Sequence, residues 1–362
     1  MSDLAHNLDE FVDVYKNLRR QPRWNSIKKT KVAIVDDGIM GVSKPKTRGA
    51  RLCKQVKEGK SFAIGTRGLH HGSWFASSSE SHGTQMASLI ASLDPMCELY
   101  IAQVAAPRIQ IDSYAVAKVR SQPQIPSIRH GTNTEWAIEW ATSKKVEIIS
   151  LSLSLLYNDH SESKDLKDAV ANAIKEGITI ICATMDDGDN IAINDTLPAR
   201  YSDVISIAAC DEYGRPLRYS KKVDPTSEKS YIVRGKGLRN GRYDFTSVPE
   251  TSEGSSVSTA IAAGLASLTL SCGRIAYELL AMESRNSTES QRVTIELKMK
   301  KTNPAESDWG NRLIRKKFTD MHAGGSRFIR PDMLFGGPEH GQLTRGKVEG
   351  LIKKHFRLKG RI

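Results

Sequence analysis

The sequence predicts an α/β protein of three layers, α/β/α, with a central parallel sheet and helices on both faces. Two observations carry this reading. Five near-continuous apolar runs (KVAIV at 31–35, LYIAQVA at 99–105, VEIISLSLS at 146–154, ITIICAT at 178–184 and DVISIAAC at 203–210) alternate with segments of helical periodicity. Strands that are apolar at nearly every position belong to parallel sheets buried on both faces. In addition, Asp36, Ser152–Ser154 and Asp186 fall at or just past the ends of these runs, and open α/β sheets gather their sites beyond the carboxyl ends of the strands.

In chain order, residues 1–30 read as a helix around 7–20 followed by a linker. KVAIV leaves into the turn Asp36-Asp37-Gly38. Residues 41–80 are polar and irregular, and a helix follows His82 through Met86, Leu89 and Ile90. After the strand at 99–105 comes a long loop over 106–130. TEWAIEWATSKK (134–145) is a helix, and so is SKDLKDAVANAIKEG (163–177), which stops at a glycine. Residues 211–250 are turn-rich. VSTAIAAGLASLTLS (257–271), small and apolar on every side, predicts a deeply buried helix. The expected organisation is a leading helix and linker (1–30), a main domain (31–285), a packed extension (286–336) and a basic tail (337–362).

The 362 residues are 39% hydrophobic and carry five cysteines with no CxxC pair. A packed core follows, with neither a disulfide framework nor a zinc site. No stretch approaches the roughly 20 apolar residues of a membrane span. The acidic, amphipathic N-terminus lacks the pattern of a secretory signal, so a cytoplasmic, intracellular location is expected. The net charge of +12 is uneven: Lys298 to Ile362 holds 16 Lys+Arg against 6 Asp+Glu. That basicity belongs to the C-terminal region and offers a surface to an acidic partner; nucleic-acid binding by the whole chain is not indicated.

Three short segments carry the chemistry: Val-Asp-Asp-Gly at 35–38, Ser-His-Gly-Thr at 81–84 and Gly-Ser-Ser-Val at 254–257. Each alone reads as a turn, a loop or a helix cap. Together they place a carboxylate, an imidazole and a hydroxyl at the edges of regular elements. A serine hydroxyl is a poor nucleophile until a base takes its proton; imidazole does so near neutral pH, and a carboxylate behind it fixes the tautomer. Ser256, at the start of a long helix, also has backbone N–H groups and the positive end of the helix dipole beside it.

On these residues the chain resembles the subtilisin-like serine peptidases, over roughly residues 31–285. KVAIVDDGI, SHGTQMASLIA and GSSVSTAIAAGLASL are similar to that family's Asp, His and Ser segments, in its order. VEIISLSLS and LPARYSDVISIAAC are similar to two of its strands. A narrower resemblance, to compact subtilisin-like domains of filamentous fungi, rests on Asp186 and Gly-Ser-Ser-Val. The resemblance implies a serine endopeptidase acting through an acyl-enzyme, with Asp36 orienting, His82 as base and Ser256 as nucleophile. It implies an oxyanion site at Asp186 (or Asp187, one residue on), Ser255 and Ser256. It also implies a substrate-binding wall at Ser152, Leu153, Ser154, Ala183 and Met185, pairing with an extended peptide or protein substrate. No cofactor is required; Ca²⁺ is compatible with the family but not indicated by the sequence. Asp186 stands where the family usually has an Asn that donates to the oxyanion, and an ionised carboxylate cannot donate. The alternative expectation is therefore a weak or inactive domain that binds peptides or serves in signalling.

Overall fold

The computed structural model describes residues 3–41, 49–63, 73–75, 81–105, 130–156, 164–186, 196–221, 223–224, 226–236, 253–322, 326–336 and 342–356. The strands are β1 (Lys31–Asp36), β2 (Val56–Ser61), β3 (Glu98–Gln103), β4 (Ile148–Leu151), β5 (Leu155–Leu156), β6 (Thr179–Ala183), β7 (Thr196–Leu197), β8 (Ile205–Cys210) and β9 (Ser230–Arg234). Seven of them form one sheet in the order β2-β3-β1-β4-β6-β8-β9, every neighbouring pair parallel. β5 and β7 make a small antiparallel pair. The chain builds to one side of β1 with β2 and β3, then to the other side from β4 onward. The reversal leaves a crevice beyond the ends of β1 and β4, where ligands bind in such sheets.

The helices are α1 (Asp3–Arg19), α2 (Pro22–Asn25), α3 (Gly49–Gln55), α4 (His82–Leu93), α5 (His130–Ser143), α6 (Lys164–Lys175), α7 (Ser255–Arg285), α8 (Glu289–Lys301), α9 (Trp309–Asp320), α10 (Asp332–Phe335) and α11 (Arg345–His355). The two-residue period of the strands sorts their side chains into two cores. Val32 and Ile34 face a core shared with α1, α4, α7, α9 and α11. Ala33 and Val35 face the core under α5 and α6. Both faces of the sheet are covered, as the uninterrupted apolar runs predict.

α7 lies at the centre of the first core and spans 31 residues, twice the predicted run. By length and composition it could cross a membrane, but 89% of its apolar window is buried inside the protein. Two of its buried serines share one acceptor: Ser267 and Ser271 donate to Asp94 Oδ2 at 2.6 and 3.1 Å. Tyr15 of α1 donates to Asp94 Oδ1 at 3.2 Å. One fully buried carboxylate thus joins α1, the end of α4 and α7.

Three departures from the sequence reading concern the periphery. β2 lies inside 41–80 and β9 inside 211–250, both read as irregular. α1 begins at Asp3 and is followed by the separate turn α2. And the expected basic tail is in part a packed helix: α11 buries Val348 and Ile352 completely, and Phe356 follows at 3% exposure. These three recur every fourth residue and make a stripe on one helix face. Residues 357–362 lie outside the described residues.

Candidate active site

Asp36 is the last residue of β1 and is 2% exposed. A carboxylate buried at a strand end needs donors. It has the Nδ1–H of His82, at 2.8 Å from Oδ1 and 2.9 Å from Oδ2, and the backbone N–H of Asp37 at 2.8 Å. His82 opens α4, with Ser81 as N-cap accepting from the Thr84 N–H. Because Nδ1 carries the proton toward Asp36, Nε2 is left as an acceptor, able to take a proton from a neighbouring hydroxyl. Burial alone would lower the His82 pKa, but the Asp36 charge and hydrogen bond, with the Asp37 charge, outweigh it and raise the pKa above 6.5.

Asp37 is the functional residue that sequence reasoning undervalued, treating it only as a turn position. It too is buried, at 4% exposure, and it holds the start of α4 from below: Oδ1 accepts from Gly83 N–H at 2.7 Å and Oδ2 from His82 N–H at 3.3 Å. These are amides that a helix start leaves without intrahelical partners. Burial, then the adjacent Asp36 charge, push the Asp37 pKa up to about 7. Gly83 permits this approach: a Cβ there would come 2.2 Å from the Gly38 carbonyl oxygen and 2.9 Å from Asp37 Oδ1. The doubled Asp-Asp before Gly38 was the available signal.

Ser256 is the second residue of α7 and partly exposed. Its Oγ donates to the Ser152 carbonyl at 3.1 Å, and Ser152 Oγ donates back to the Ser256 carbonyl at 3.4 Å. The start of α7 is thereby tied to the end of β4. Among the described residues no hydrogen bond joins Ser256 to His82, and the Ser256 N–H has no partner. Ser258 anchors the same turn to β9, its Oγ donating to the Val233 carbonyl at 2.9 Å.

The residues assigned to the oxyanion site are arranged differently from the expectation. Ser255 is 2% exposed; its hydroxyl turns inward to the Thr184 carbonyl and to Asp186 Oδ2, the latter at 3.0 Å. Asp186 Oδ2 also accepts the Ser255 N–H at 2.9 Å. The carboxylate meets the first amide of α7 because that amide lacks an intrahelical acceptor and an anion is favoured at a helix N-terminus. Asp187 lies outside the described residues. Of the predicted wall, Ser152 and Ser154 follow β4, and Ala183 and Met185 lie at the end of β6 beside it. Ser154 Oγ covers the Ala183 carbonyl at 2.6 Å. Leu153 packs against the core under α5 and α6. Among the described residues no group of three His, Cys, Asp or Glu side chains is gathered as for a metal ion.

A seven-stranded parallel sheet between two helical layers, with a carboxylate–imidazole pair at its reversal and a serine at the start of the central helix, defines a protein of the subtilisin-like α/β class. The chain belongs to the subtilase family, peptidase S8, whose sequence profile matches residues 27–276. It is 29% identical over 207 residues to the major intracellular serine protease of Bacillus subtilis, covering 57% of this chain and 58% of that protein. It is 27% identical over 143 residues to the minor extracellular protease Epr of the same organism, covering 40% of this chain and 20% of that protein. The matches thus span less than two thirds of either relative. Among solved structures, the nisin leader peptidase NisP from Lactococcus lactis shares the fold, with a TM-score of 0.57 and 15% identity, over 89% of this chain and 90% of that one.

Proposed function

We propose that this protein is a serine endopeptidase that cleaves peptide bonds through Asp36, His82 and Ser256. The observation that carries the proposal is the two-oxygen grip of Asp36 on His82 Nδ1, at the same end of the sheet as a serine that opens the central helix. In this reading the Ser256 hydroxyl turns from the Ser152 carbonyl to His82 Nε2, gives up its proton there, and attacks the scissile carbonyl. Asp36 holds the tautomer and stabilises the imidazolium. The oxyanion forms at the start of α7, against the Ser256 N–H, which has no partner among the described residues, and the positive end of the helix dipole. His82 then passes its proton to the leaving amine, and water resolves the acyl-enzyme by the reverse path.

The substrate is an extended peptide or protein segment that pairs with the backbone at Ser152–Ser154, with Ala183 and Met185 beside the first pocket. The chemistry uses side chains and water and requires no cofactor. An intracellular site of action is supported by the similarity to the Bacillus intracellular protease.

A fluorophosphonate probe tests this directly. The protein should be labelled on Ser256, and Ser256→Ala should abolish both labelling and peptide cleavage. Folded protein that takes no label anywhere between about pH 5 and pH 9 would refute the proposal and leave peptide binding without turnover.

A further inference from the structure

The position of Asp186 raises a question that the proposed reaction leaves open: what a carboxylate does beside a developing oxyanion. Its surroundings answer in geometric terms. Oδ2 accepts the Ser255 N–H at 2.9 Å and lies 3.0 Å from the Ser255 Oγ, whose single proton it shares with the Thr184 carbonyl at 2.5 Å. Gly254, which precedes Ser255, has φ +126°, and a Cβ on it would stand 2.8 Å from the same Oδ2. The Ser255 hydroxyl also reaches the Thr184 carbonyl, and Thr184 is itself fixed to β8 by two hydrogen bonds to the Ile207 carbonyl, 2.9 Å from its N–H and 3.2 Å from its Oγ1. A continuous path therefore runs from the sheet through Thr184 and Asp186 to the first residue of α7, next to the nucleophile.

We propose that Asp186 is a positioning residue, which clamps Ser255 at the start of α7 and so sets the orientation of the Ser256 N–H and Oγ, in place of the oxyanion donor usual at this position. The inference rests on the serine-peptidase reading above. An ionised carboxylate cannot donate a hydrogen bond, but it accepts the charge-assisted one from the Ser255 N–H well and draws on the shared Ser255 hydroxyl proton. The bare Cα of Gly254 leaves room for it, and the oxyanion is left to the backbone.

Rates of Ser256 acylation by a small fluorophosphonate, together with kcat and KM on a peptide substrate, decide the matter in Asp186→Ala, Asp186→Asn, Ser255→Ala and the Asp186→Ala/Ser255→Ala double variant, with thermal melting alongside. Asp186→Ala should slow acylation by about ten- to a hundredfold, the range expected for loss of hydrogen bonds to a charged acceptor. The loss should appear in kcat with KM nearly unchanged. Ser255→Ala should slow acylation less, and the double variant should be no slower than Asp186→Ala, because both changes break one clamp. Asp186→Asn keeps an oxygen that accepts from the Ser255 N–H and should stay within a few-fold of the parent protein.

Multiplying effects in the double variant would overturn the inference, as would Asp186→Asn acylating on the order of a hundredfold faster than the parent, the signature of a restored oxyanion donor. If Asp186→Ala fails to fold, the other two single variants decide: a parental rate in Ser255→Ala overturns the clamp. Parent protein that takes no label removes both this inference and the peptidase reading. Parent protein that is labelled, with variants acylated equally fast, removes this inference alone.

Discussion

Asp36 and Asp37 are neighbours in the chain that hold different parts of His82. Asp36 takes the imidazole, while Asp37 takes the backbone amides of His82 and Gly83. Burial, and after it the repulsion of the adjacent Asp36 charge, falls on Asp37, whose pKa is raised from 3.8 to about 7. A carboxyl whose pKa is higher in the folded state than in the unfolded chain binds its proton more tightly when folded. Its contribution to stability is complete below the unfolded pKa and is lost as pH rises through the folded one. Asp37→Asn cannot titrate and still offers an oxygen to Gly83. Its melting temperature should therefore vary less than the parent's between about pH 4 and pH 7. Melting curves across that range check this, and an unchanged slope would place the titration on another group. At this scale the sequence was legible for Asp36, His82 and Ser256 as residue types in an order. It was not legible for Asp37 and Asp186, whose partners lie 45 to 69 residues away and exist only once β1, α4, β6 and α7 have met.

At the scale of elements, the site is made of starts and ends. β1 ends on Asp36, α4 starts on His82, and α7 starts one residue before Ser256. Polar side chains concentrate there because element termini have unpaired backbone groups to satisfy. The contact between the β1 turn and α4 is closest at Gly83, where a Cβ would stand 2.2 Å from the Gly38 carbonyl. Gly83→Ala should therefore lift α4 off the turn, at a cost of about 1–3 kcal/mol, the usual penalty of overpacking, and should depress cleavage more than substrate binding. Denaturant unfolding and a kcat/KM comparison measure the two effects. The central strands were legible from their unbroken apolar runs. The edge strand β2 was not: every position of VKEGKS is intermediate or exposed, and an edge strand with one partner leaves little apolar signal. β9 is five residues long, inside a polar stretch, and its burial comes from β8 on one side and from Ile329, whose N–H bonds the Ile232 carbonyl, on the other.

At the scale of the molecule, the two ends of the chain close one core. Phe11 of α1 packs edge-on against Phe335 at 5.0 Å between ring centroids, and Phe335 packs against Phe356 at 5.4 Å. Leu343 N–H bonds Glu10 at 2.6 Å. Helices from the segments read as a leading helix and a basic tail therefore share the layer that contains α7. Phe356→Ala should destabilise the protein by about 3–5 kcal/mol, as expected for truncating a buried aromatic, whereas a loosely attached tail would tolerate it within about 0.5 kcal/mol. Chemical denaturation separates the two outcomes.

The sequence by itself determined the sheet-and-helix class, the three segments that carry the candidate chemistry and the family they belong to. Those properties are local: hydrophobic period, turn residues and order along the chain. Only the tertiary structure decided which carboxylate holds which group, which way Ser255 and Asp186 turn, and that the C-terminal helix belongs to the core. Each of these is a contact between elements far apart in the chain, where burial removes water and a polar group must find its partner in the fold.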